Sequence, residues 1–422
     1  MDRIILHSDL NNFYATAAMT RDESLRGLPI AVAGDTEMRH GIVLAKSYEA
    51  KRFGVATGDT LWQAKLKCPD IRFIPPDFEL YCSLAAKVRA IYHSYTDMVE
   101  SFGMDECWLD VTGSRRLFAG GCEDSDTAGV AIANEIRERV KRETNLTVSV
   151  GVSFNKTFAK LGSDMKKPDA VTLISRGNFK DVVWSLPIRD LLYVGSKTER
   201  KLVMYGIDTI GRLACADEKL ISLLLGKRGR DLQASARGLE CAPVLKREEL
   251  PQVKSVSNGT TTYKDLSTDE EIKAVLYFLC ESVSARLREQ RLLCKTVCLG
   301  IREFDLYSFE RQRQLTRASR TAEDLFGAAY ALLCINRRRD KPIRSLTVRA
   351  TALSTEKDEQ LSMFPESDPL GKREELESCV DALRQRYGSG IVKRGIVMWD
   401  PVLSAGEFGL DREQTWAVAE PS

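Results

Sequence analysis

Three acidic residues at the ends of two short apolar runs are the best candidates for chemistry in this sequence. Asp9 ends the first run, and the adjacent pair Asp105 and Glu106 precedes the second. Runs of this length are typical of β-strands, so all three carboxylates fall at a strand end or a hairpin turn. Mg²⁺ takes carboxylates plus substrate phosphates, and two such ions can hold the attacking and leaving oxygens of a phosphoryl transfer. The spacing therefore favours a two-metal site, although a polar hairpin turn and a helix cap at Asp9 explain the same residues one at a time.

A second group of residues has the chemistry needed to hold a triphosphate. Tyr48, Lys51 and Arg52 fall within one turn of a short predicted helix. Arg can bind phosphate through two hydrogen bonds, while Lys acts as a point charge. Lys166 and Lys167 come at the end of another predicted helix. Cations at a helix C-terminus also complement the helix dipole, so these two lysines have a purely structural alternative.

The first 175 residues alternate strand-like and helix-like segments, which predicts an α/β layer with helices packed on a sheet. Short, apolar and often β-branched runs predict strands at Ile4–Leu6, Ile30–Val32, Ile42–Ala45, Ile71–Ile74 and Val148–Val152. Helical spacing predicts helices at Ser47–Phe53, Thr60–Lys67, Ala128–Arg142 and Asn155–Lys166, the last of which begins at an Asn cap. It also predicts a helix after Asp77 with an apolar stripe from Leu80 to Tyr95.

From about residue 177 to residue 239 the pattern becomes helical, with short loops. Leu191–Thr198, followed by Gly206 and Ile207, predicts a helix-hairpin-helix, in which a tight turn aims backbone N–H groups at a phosphate. Similar Gly-Ser-Lys turns also join helices that bind no DNA, so this signal alone leaves the role open. Residues 241–252 lose periodicity and contain two prolines, which predicts a linker.

Residues 253–355 form a basic module that precedes an acidic tail. The module has 18 Lys and Arg against 12 Asp and Glu, whereas residues 356–422 have 8 against 14. This asymmetry favours a polyanionic partner for the module, although a solvated mixed-charge surface explains it equally well. The module's predicted elements are two helices, Glu270–Leu287 and Ala322–Leu333, and two strands, Cys294–Ile301 and Ile343–Leu353. The second strand alternates apolar and polar residues, so one of its faces would present Arg344, Ser345 or Arg349.

Length, cysteine content and hydropathy bound the class of protein. At 422 residues the chain should contain several domains. Eleven cysteines without a C-x-x-C pair, and only three histidines, argue against a structural zinc and for reduced thiols. No apolar run reaches the ~18 residues of a membrane span, and Met1-Asp2-Arg3 lacks the pattern of a signal peptide. We therefore expect a cytoplasmic protein with no membrane partner.

Taken together, these segments resemble the Y-family, or translesion, DNA polymerases, specifically the bacterial polymerase IV and polymerase V branch. The matching pieces are Ser8–Ala15, Tyr48–Val55, Gly103–Asp110, Ser149–Ser153 and Phe158–Pro168, in the family's order and spacing. The likeness continues through the helix-hairpin-helix and the basic module to about Thr355. It implies a DNA-directed DNA polymerase that adds deoxynucleotides to a primer 3′ end, including opposite damaged bases, with low fidelity and low processivity.

The resemblance implies a role for each candidate residue. Asp9, Asp105 and Glu106 would be catalytic and would bind two Mg²⁺ ions, with the carbonyl of Leu10 assisting. Tyr14 would be the steric gate, the aromatic residue that clashes with a ribose 2′-OH. The nucleotide-binding residues would be Phe13, Tyr14, Tyr48, Lys51, Arg52 and Lys167. The DNA-binding residues would include Gly195, Lys197, Arg344 and Arg349.

The resemblance also implies a multidomain α/β fold shaped as a right hand. A palm, made of a mixed sheet plus helices, would comprise residues 1–10 and 78–174, and small fingers would comprise residues 11–77. A helical helix-hairpin-helix thumb (175–240), the linker (241–252) and an α+β little finger (253–355) would follow. The acidic tail (356–422) would end the chain, and we expect a monomer that binds primer-template DNA and deoxynucleoside triphosphates.

The segment Gln360-Leu361-Ser362-Met363-Phe364 resembles the peptide by which bacterial polymerases dock on the sliding clamp, the beta subunit of the replicative polymerase. In an extended peptide, Leu361, Met363 and Phe364 would be apolar anchors, and Gln360 would occupy a polar pocket. Exposed apolar residues in an acidic, otherwise polar stretch are hard to explain as core. We therefore expect the sliding clamp to be a partner.

Two positions depart from the family's pattern. Many members have Arg where this chain has Lys51, so contact with the triphosphate would be weaker or shared with Arg52. Tyr193 stands where a glycine is usual in the phosphate-binding turn of the thumb.

Two other classes of protein share part of this pattern. Nucleotide cyclases have the palm and its two metals but need no helix-hairpin-helix, basic module or clamp peptide. A non-catalytic DNA-binding or clamp-associated protein would not need all three carboxylates, which are present here.

Overall fold

The computed structural model describes residues 3–34, 39, 41–120, 122–249, 252–355, 370–388, 390–400 and 403. These residues form two compact units. The first contains residues up to 34 and from 42 to 249, and the second consists mainly of residues 252–403. Among the described residues, no helix is both long enough and apolar enough to cross a membrane.

The first unit combines short strands with helices of four to 20 residues. Its strands are β1 (Ile5–Leu10), β2 (Ile30–Ala33), β3 (Val43–Lys46), β4 (Arg72–Ile74), β5 (Val99–Ser101), β6 (Glu106–Asp110), β7 (Val148–Ser153) and β8 (Val171–Ile174). Its helices are α1 (Phe13–Arg21), α2 (Tyr48–Arg52), α3 (Leu61–Lys67), α4 (Phe78–His93), α5 (Arg115–Phe118), α6 (Ser125–Thr144), α7 (Lys156–Met165), α8 (Phe179–Val183), α9 (Ser196–Val203), α10 (Ile210–Cys215), α11 (Glu218–Leu225) and α12 (Lys227–Ala236).

The larger sheet of this unit has the strand order β5-β6-β1-β7-β8. β1 is antiparallel to both of its neighbours, whereas β7 and β8 are parallel, so the sheet is mixed. Every residue of β1 is buried because the strand lies in the middle of the sheet. The register pairs Asp9 with Glu106, which brings two of the predicted catalytic carboxylates to the same end of the sheet.

Alternate residues of β1 face two different layers of helices. Leu6 and Leu10 pack in a core with residues of α4 and α6. Ile5 packs with Trp108 of β6 and with Ala159 of α7 on the other face. Asp9 has the same parity as Ile5, so its carboxylate faces α7.

Helix α7 lies very close to β7 because β7 has a glycine at the crossing. A Cβ added at Gly151 would lie 1.9 Å from the carbonyl oxygen of Ala159 and 2.6 Å from the backbone nitrogen of Ser163. The helix begins at a cap in which the side chain of Asn155 accepts a hydrogen bond from Phe158 N–H at 2.8 Å, as the sequence predicts. Cap and glycine together fix the position of α7 on the sheet.

Two smaller structures complete the first unit. The strands between residues 30 and 74 form a separate sheet in the order β3-β2-β4. Helices α8 to α12 enclose a core of their own, which includes Phe154 and Phe158. The chain that follows α12 returns to the larger sheet, where Val244 is fully buried beside Ile5. The stretch predicted as a linker is therefore packed at its start.

The second unit is built on one antiparallel sheet with the order β11-β10-β12-β9. Its elements are β9 (Ser255–Leu266), α13 (Asp269–Glu289), β10 (Leu292–Glu303), β11 (Ser308–Ser319), α14 (Ala322–Asn336), β12 (Ile343–Thr355) and α15 (Leu370–Tyr387). Helices α13 and α14 pack against the sheet and enclose the core. Helix α15 is held on α13 by Arg288, which pairs with Glu377 and Asp381.

Most predicted elements are found with bounds shifted by a few residues, and the mixed α/β multidomain class is confirmed. Four strands, β5, β8, β9 and β11, are not predicted from the sequence. All four are edge strands, and in β11 exposed polar residues such as Arg311 and Arg313 replace the apolar alternation that marks a strand. β12 also departs from strict alternation, because a register irregularity leaves Arg344 and Ser345 both partly exposed.

Gly151→Ala should destabilise the first unit by about 3 kcal/mol, because the backbone of α7 cannot yield to a methyl group. Gly113→Ala is the matched control, since a Cβ at Gly113 meets nothing within 4 Å. The control should change the free energy of unfolding by less than about 0.5 kcal/mol. Urea denaturation measures both variants. Equal stability would mean that α7 does not pack this closely on β7.

Candidate active site

The predicted catalytic carboxylates line one pocket of about 330 Å³ in the first unit. The pocket opens where β1 ends, β6 begins and α7 is followed by its C-terminal loop. Its lining residues are Asp9, Leu10, Asn12, Phe13, Tyr14, Leu44, Ala45, Lys46, Thr57, Asp105, Glu106, Asp164 and Lys167. Of the residues predicted from sequence to form the site, seven lie in this lining: Asp9, Leu10, Phe13, Tyr14, Asp105, Glu106 and Lys167.

Backbone contacts bring the carboxylates together at this end of the sheet. Leu10 N–H donates a hydrogen bond to the carbonyl of Asp105 at 3.0 Å, which joins the end of β1 to the turn between β5 and β6. The turn contains Gly103 at a φ of +142°, a conformation that favours glycine. Asp9 is only 5% exposed, so its carboxylate has little access to solvent.

Two lysines supply the positive charge that balances these carboxylates. Lys160 Nζ lies 3.3 Å from Asp9 Oδ2, 2.9 Å from Glu106 Oε1 and 3.2 Å from Asp164 Oδ2. Lys167 Nζ lies 2.8 Å from Asp9 Oδ1 and 3.0 Å from Asp164 Oδ1. The site is therefore a compact cluster of alternating charges.

The pKa values of the three carboxyls separate according to their neighbours. Burial and the nearby carboxylates raise the pKa of Asp105 to about 6. Burial also raises the pKa of Asp9, despite the opposing charges of Lys167 and Lys160. Burial acts in the same direction on Glu106, but the approach of His7 and the charge of Lys160 outweigh it and hold the pKa of Glu106 well below its usual range. Asp105 is therefore the carboxyl whose negative charge is least compensated by protein groups.

The donor set fits a hard divalent cation. Every candidate ligand is an oxygen, and the uncompensated charge at Asp105 is what a bound cation would relieve. In the described part of the chain, no three His, Cys, Asp or Glu side chains converge tightly enough to form a ready-made metal centre. Asp9 and Glu106 are instead paired with Lys160, whose ammonium group supplies positive charge beside both carboxylates.

Tyr14 is held at the pocket wall by an aromatic cluster. Its ring stacks on Tyr81 of α4, with centroids 4.2 Å apart and planes inclined by 9°. Phe78 meets the ring of Tyr14 edge-on at 6.0 Å, and Phe13 lies at 5.6 Å. These contacts restrict the motion of the Tyr14 ring at the wall of the pocket.

The predicted triphosphate residues are divided between the pocket and its surroundings. Tyr48 begins α2 and is not among the lining residues. Burial raises the pKa of its hydroxyl, while the charge of Lys167 lowers this pKa and the charge of Asp9 raises it. Lys51 Nζ lies 5.8 Å from the centre of the Tyr48 ring. Arg52 is exposed and is not among the lining residues. Lys46, which the sequence did not single out, lines the pocket and contacts Thr57 Oγ1 at 3.0 Å.

Comparisons with known proteins agree with this geometry. A family model described as the impB/mucB/samB family matches residues 8–164, and a model of the family's C-terminal domain matches residues 253–363. The DNA polymerase IV of Acetivibrio thermocellus is 45% identical over 402 residues, which cover 95% of this chain and 98% of that protein. DNA polymerase IV 1 of Bacillus subtilis is 35% identical over 399 residues, covering 94% and 93% of the two chains.

The chain belongs to the Y-family DNA polymerases of the polymerase IV type. A solved structure of a Y-family DNA polymerase chimera has the same fold, with a TM-score of 0.72 at 19% identity. That likeness covers 83% of this chain and 99% of the chimera. The family resemblance and the fold class predicted from the sequence are both confirmed.

The turn that precedes α9, which the sequence predicts as part of a helix-hairpin-helix, has an unusual backbone conformation. Tyr193 has a φ of +69°, which a glycine adopts without strain and which explains why a glycine is usual at this position. The side chain of Tyr193 is 73% exposed. Gly195 caps α9 without a side-chain hydrogen bond, and Gly195 and Lys197 are both exposed. The turn therefore has at Tyr193 a backbone conformation that favours glycine, and it leaves Gly195 and Lys197 accessible.

The remaining candidate residues lie in the second unit or outside the described residues. Arg344 and Arg349 are partly exposed on β12, and Arg349 forms an ion pair with Glu310 of β11. The clamp peptide, Gln360 to Phe364, lies outside the residues that the structure describes.

Two residues that contact the candidate carboxylates are not predicted from the sequence. Lys160 precedes Asp164 by four residues, a spacing that places both on one helix face. This spacing indicates a pair of opposite charges and could have identified Lys160. His7 precedes Asp9 by two residues and so shares its face of β1. Neither residue stands out in the sequence, because the segment around Lys160 has the pattern of an ordinary amphipathic helix and the segment around His7 that of an apolar strand.

Asp105→Asn should stabilise the metal-free protein at pH 7 by up to about 3 kcal/mol, since it removes an unfavourable buried charge. The folded-state pKa of about 6 exceeds the ordinary value of 3.8, so the cost of the charge is complete above pH 6 and is lost as the pH falls towards 4. The gain should therefore shrink in acid. Urea unfolding in EDTA at pH 7 and at pH 4.5 measures it. A gain of the same size at both pH values would contradict this assignment.

Proposed function

We propose that the carboxylate pocket is the active site of a template-directed DNA polymerase of the translesion type. The observation that carries the proposal is the meeting of Asp9, Asp105 and Glu106 with Lys167 and Tyr14 in one pocket. Phosphoryl transfer needs that combination: negative groups that bind cations, a cation for the triphosphate, and a surface that positions the sugar. Family membership and the polymerase relatives support the same activity.

Asp9, Asp105 and Glu106 would hold two Mg²⁺ ions, assisted by the carbonyl of Leu10. When bound, these ions neutralise charge on the triphosphate and lower the pKa of the attacking primer hydroxyl. With a pKa of about 6, Asp105 is ionised at neutral pH and would be available as a ligand there, and it would lose that role as the pH falls below 6. Lys160 holds both Asp9 and Glu106 in place, and Lys167 holds Asp9.

The incoming deoxynucleotide would be oriented by residues around the pocket. Lys167 and Lys46 line the pocket and would contact the triphosphate, with Tyr48 and Lys51 beside them. Phe13 and Tyr14 would lie under the sugar. Arg52 would join only if its exposed side chain turns inward. Catalysis would then come mostly from positioning and charge neutralisation, because the protein supplies no covalent intermediate in this chemistry.

The parts of the molecule would correspond to a polymerase hand. We assign residues 1–10 and 78–174 to the palm, since they contribute every strand of the five-stranded sheet. Residues 11–77 would be the fingers, 175–240 the thumb, 241–252 the linker and 253–355 the little finger. Thumb residues Gly195 and Lys197 and little-finger residues Arg344 and Arg349 would grip DNA phosphates without reading sequence. Arg311 and Arg313 on β11 have the exposure and charge to join them.

The peptide Gln360 to Phe364 would dock the polymerase on the sliding clamp. Its support is the spacing of glutamine, leucine and phenylalanine in a polar stretch just past the little finger. The polymerase would act as a monomer, because primer extension at a single pocket requires no second copy of the chain. Its location would be the cytoplasm.

Glu106→Ala or Asp105→Ala should abolish nucleotide addition while leaving DNA binding nearly intact. Each change removes a cation ligand and should cost at least about 4 kcal/mol of transition-state stabilisation, or roughly a thousand-fold in rate. Single-turnover primer extension on intact and abasic templates, with DNA affinity measured in parallel, is the test. Asp181→Ala, a change on α8 outside the pocket, is the control. Extension above a few per cent of the wild-type rate would remove these residues from the active site.

Tyr14→Ala should allow ribonucleotide incorporation, because the lost ring no longer fills the space of a 2′-OH. The ratio of dATP to ATP incorporation should fall by at least about a hundred-fold. Single-turnover competition between the two nucleotides measures the ratio. An unchanged ratio would place the gate elsewhere, with Phe13 as the next candidate.

Changing Leu361 and Phe364 together to Ala should leave synthesis on a short primer without clamp untouched. The same change should erase stimulation by the loaded clamp, because the peptide supplies effective concentration and not a catalytic group. Primer extension with and without loaded clamp separates the two effects. Full stimulation of the double variant would show that docking occurs through another segment, with α15 the next to test.

A further inference from the structure

His7 lies behind the carboxylate pocket and approaches one of the candidate metal ligands. It is fully buried on β1 and pairs in register with Trp108 of β6 and Gly151 of β7. Its Nε2 is 3.4 Å from Oε2 of Glu106, and its Nδ1 is 2.8 Å from Oγ of Ser163 on α7. The imidazole therefore bridges the helix that carries Lys160 and the strand that carries Glu106.

The two carboxylate oxygens of Glu106 have different environments. Oε1 lies 2.9 Å from Lys160 Nζ. Oε2 is buried and has no hydrogen-bond partner of normal geometry among the described residues, and the same is true of Nε2 of His7. Two buried polar atoms that face each other without other partners cost free energy unless one of them donates a hydrogen bond to the other.

The hydroxyl of Ser163 decides which nitrogen of His7 carries the proton. The hydroxyl has one proton and two acceptors within reach, His7 Nδ1 at 2.8 Å and the carbonyl of Lys160 at 2.7 Å. If the hydroxyl of Ser163 donates its hydrogen bond to the carbonyl, His7 must donate from Nδ1–H to Ser163, and the unprotonated Nε2 then faces a carboxylate oxygen. If the hydroxyl donates to Nδ1, His7 carries its proton on Nε2, and Nε2–H points at Glu106.

The second arrangement costs less. The carbonyl of Lys160 lies inside α7, where it accepts the backbone hydrogen bond of the helix. It therefore has a hydrogen-bond partner even when the hydroxyl of Ser163 donates elsewhere. The donor chain from Ser163 through His7 to Glu106 leaves Ser163 Oγ and the Lys160 carbonyl in contact without a proton, but both of these groups are neutral. The first arrangement instead sets the lone pair of Nε2 against a charged carboxylate in a buried site, which costs more.

We propose that His7 is a positioning residue: its Nε2–H holds Oε2 of Glu106, so that Oε1 is the oxygen presented to a divalent cation. The proposal rests on the proposed function, in which Glu106 is a cation ligand. It assigns Ser163 the role of fixing the tautomer of His7. Groups that orient a ligand in this way typically contribute a factor of about ten to a hundred to metal affinity.

The tautomer can be measured without metal and without activity. The chain contains three histidines, so ¹⁵N-histidine labelling gives a simple spectrum. The signals of His7 are those lost in His7→Gln. Long-range ¹H–¹⁵N correlation should show His7 protonated at Nε2 in the metal-free protein. Protonation at Nδ1 would overturn the proposal.

Metal binding supplies the second measurement, with Mn²⁺ as the probe in titration calorimetry. His7→Phe keeps an aromatic ring but no donor, so Mn²⁺ affinity should fall about ten-fold or more. His7→Gln keeps an N–H near the position of Nε2 and should stay within about three-fold of the wild type. His93→Gln, a change at an exposed histidine at the end of α4, is the control and should bind Mn²⁺ as the wild type does.

Unchanged Mn²⁺ affinity in His7→Phe would also overturn the proposal. If His7→Phe does not fold, the tautomer of the wild-type protein decides alone. A failure of the proposed function is seen separately, as the absence of primer extension by the wild-type chain, and it leaves the tautomer measurement valid.

Discussion

Repulsion between three carboxylates packed at one end of a sheet is the constraint on which the rest of the site depends. The antiparallel register places Asp9 opposite Glu106, and the adjoining turn adds Asp105. Asp9 cannot move away, because β1 is buried along its whole length. The protein therefore has to supply positive charge nearby, and it does so with Lys160 and Lys167. That balance is incomplete at Asp105, whose charge a catalytic cation would compensate.

The supply of positive charge depends in turn on how closely one helix approaches the sheet. Lys160 and Ser163 lie on α7, and Lys167 lies just beyond its end. The absence of a side chain at Gly151 permits the close contact, and the Asn155 cap sets where the helix begins. Backbone packing thus controls the electrostatics of the pocket. A small change in the position of α7 would alter every ion pair of the site at once.

The sequence predicted the parts of the structure in which local pattern and chemistry agree. The strand ends bearing Asp9 and Asp105, the Asn155 cap and the apolar stripe of α4 were all readable from residue type and spacing. Edge strands β9 and β11 were not, because an edge strand need not alternate apolar and polar residues. His7 and Lys160 were missed for a related reason. Their roles come from contacts between elements that are distant in sequence, as the His7–Ser163 contact shows.

The second unit gives the acidic tail a physical role that its composition alone did not indicate. Helix α15 directs Glu377 and Asp381 at Arg288, and Glu374 pairs with Arg320 at 3.2 Å. Arg288 is only 10% exposed, so its charge would be costly without these partners. The tail helix therefore neutralises cations on the helical side of the unit. Exposed cations remain on edge strand β11, at Arg311 and Arg313.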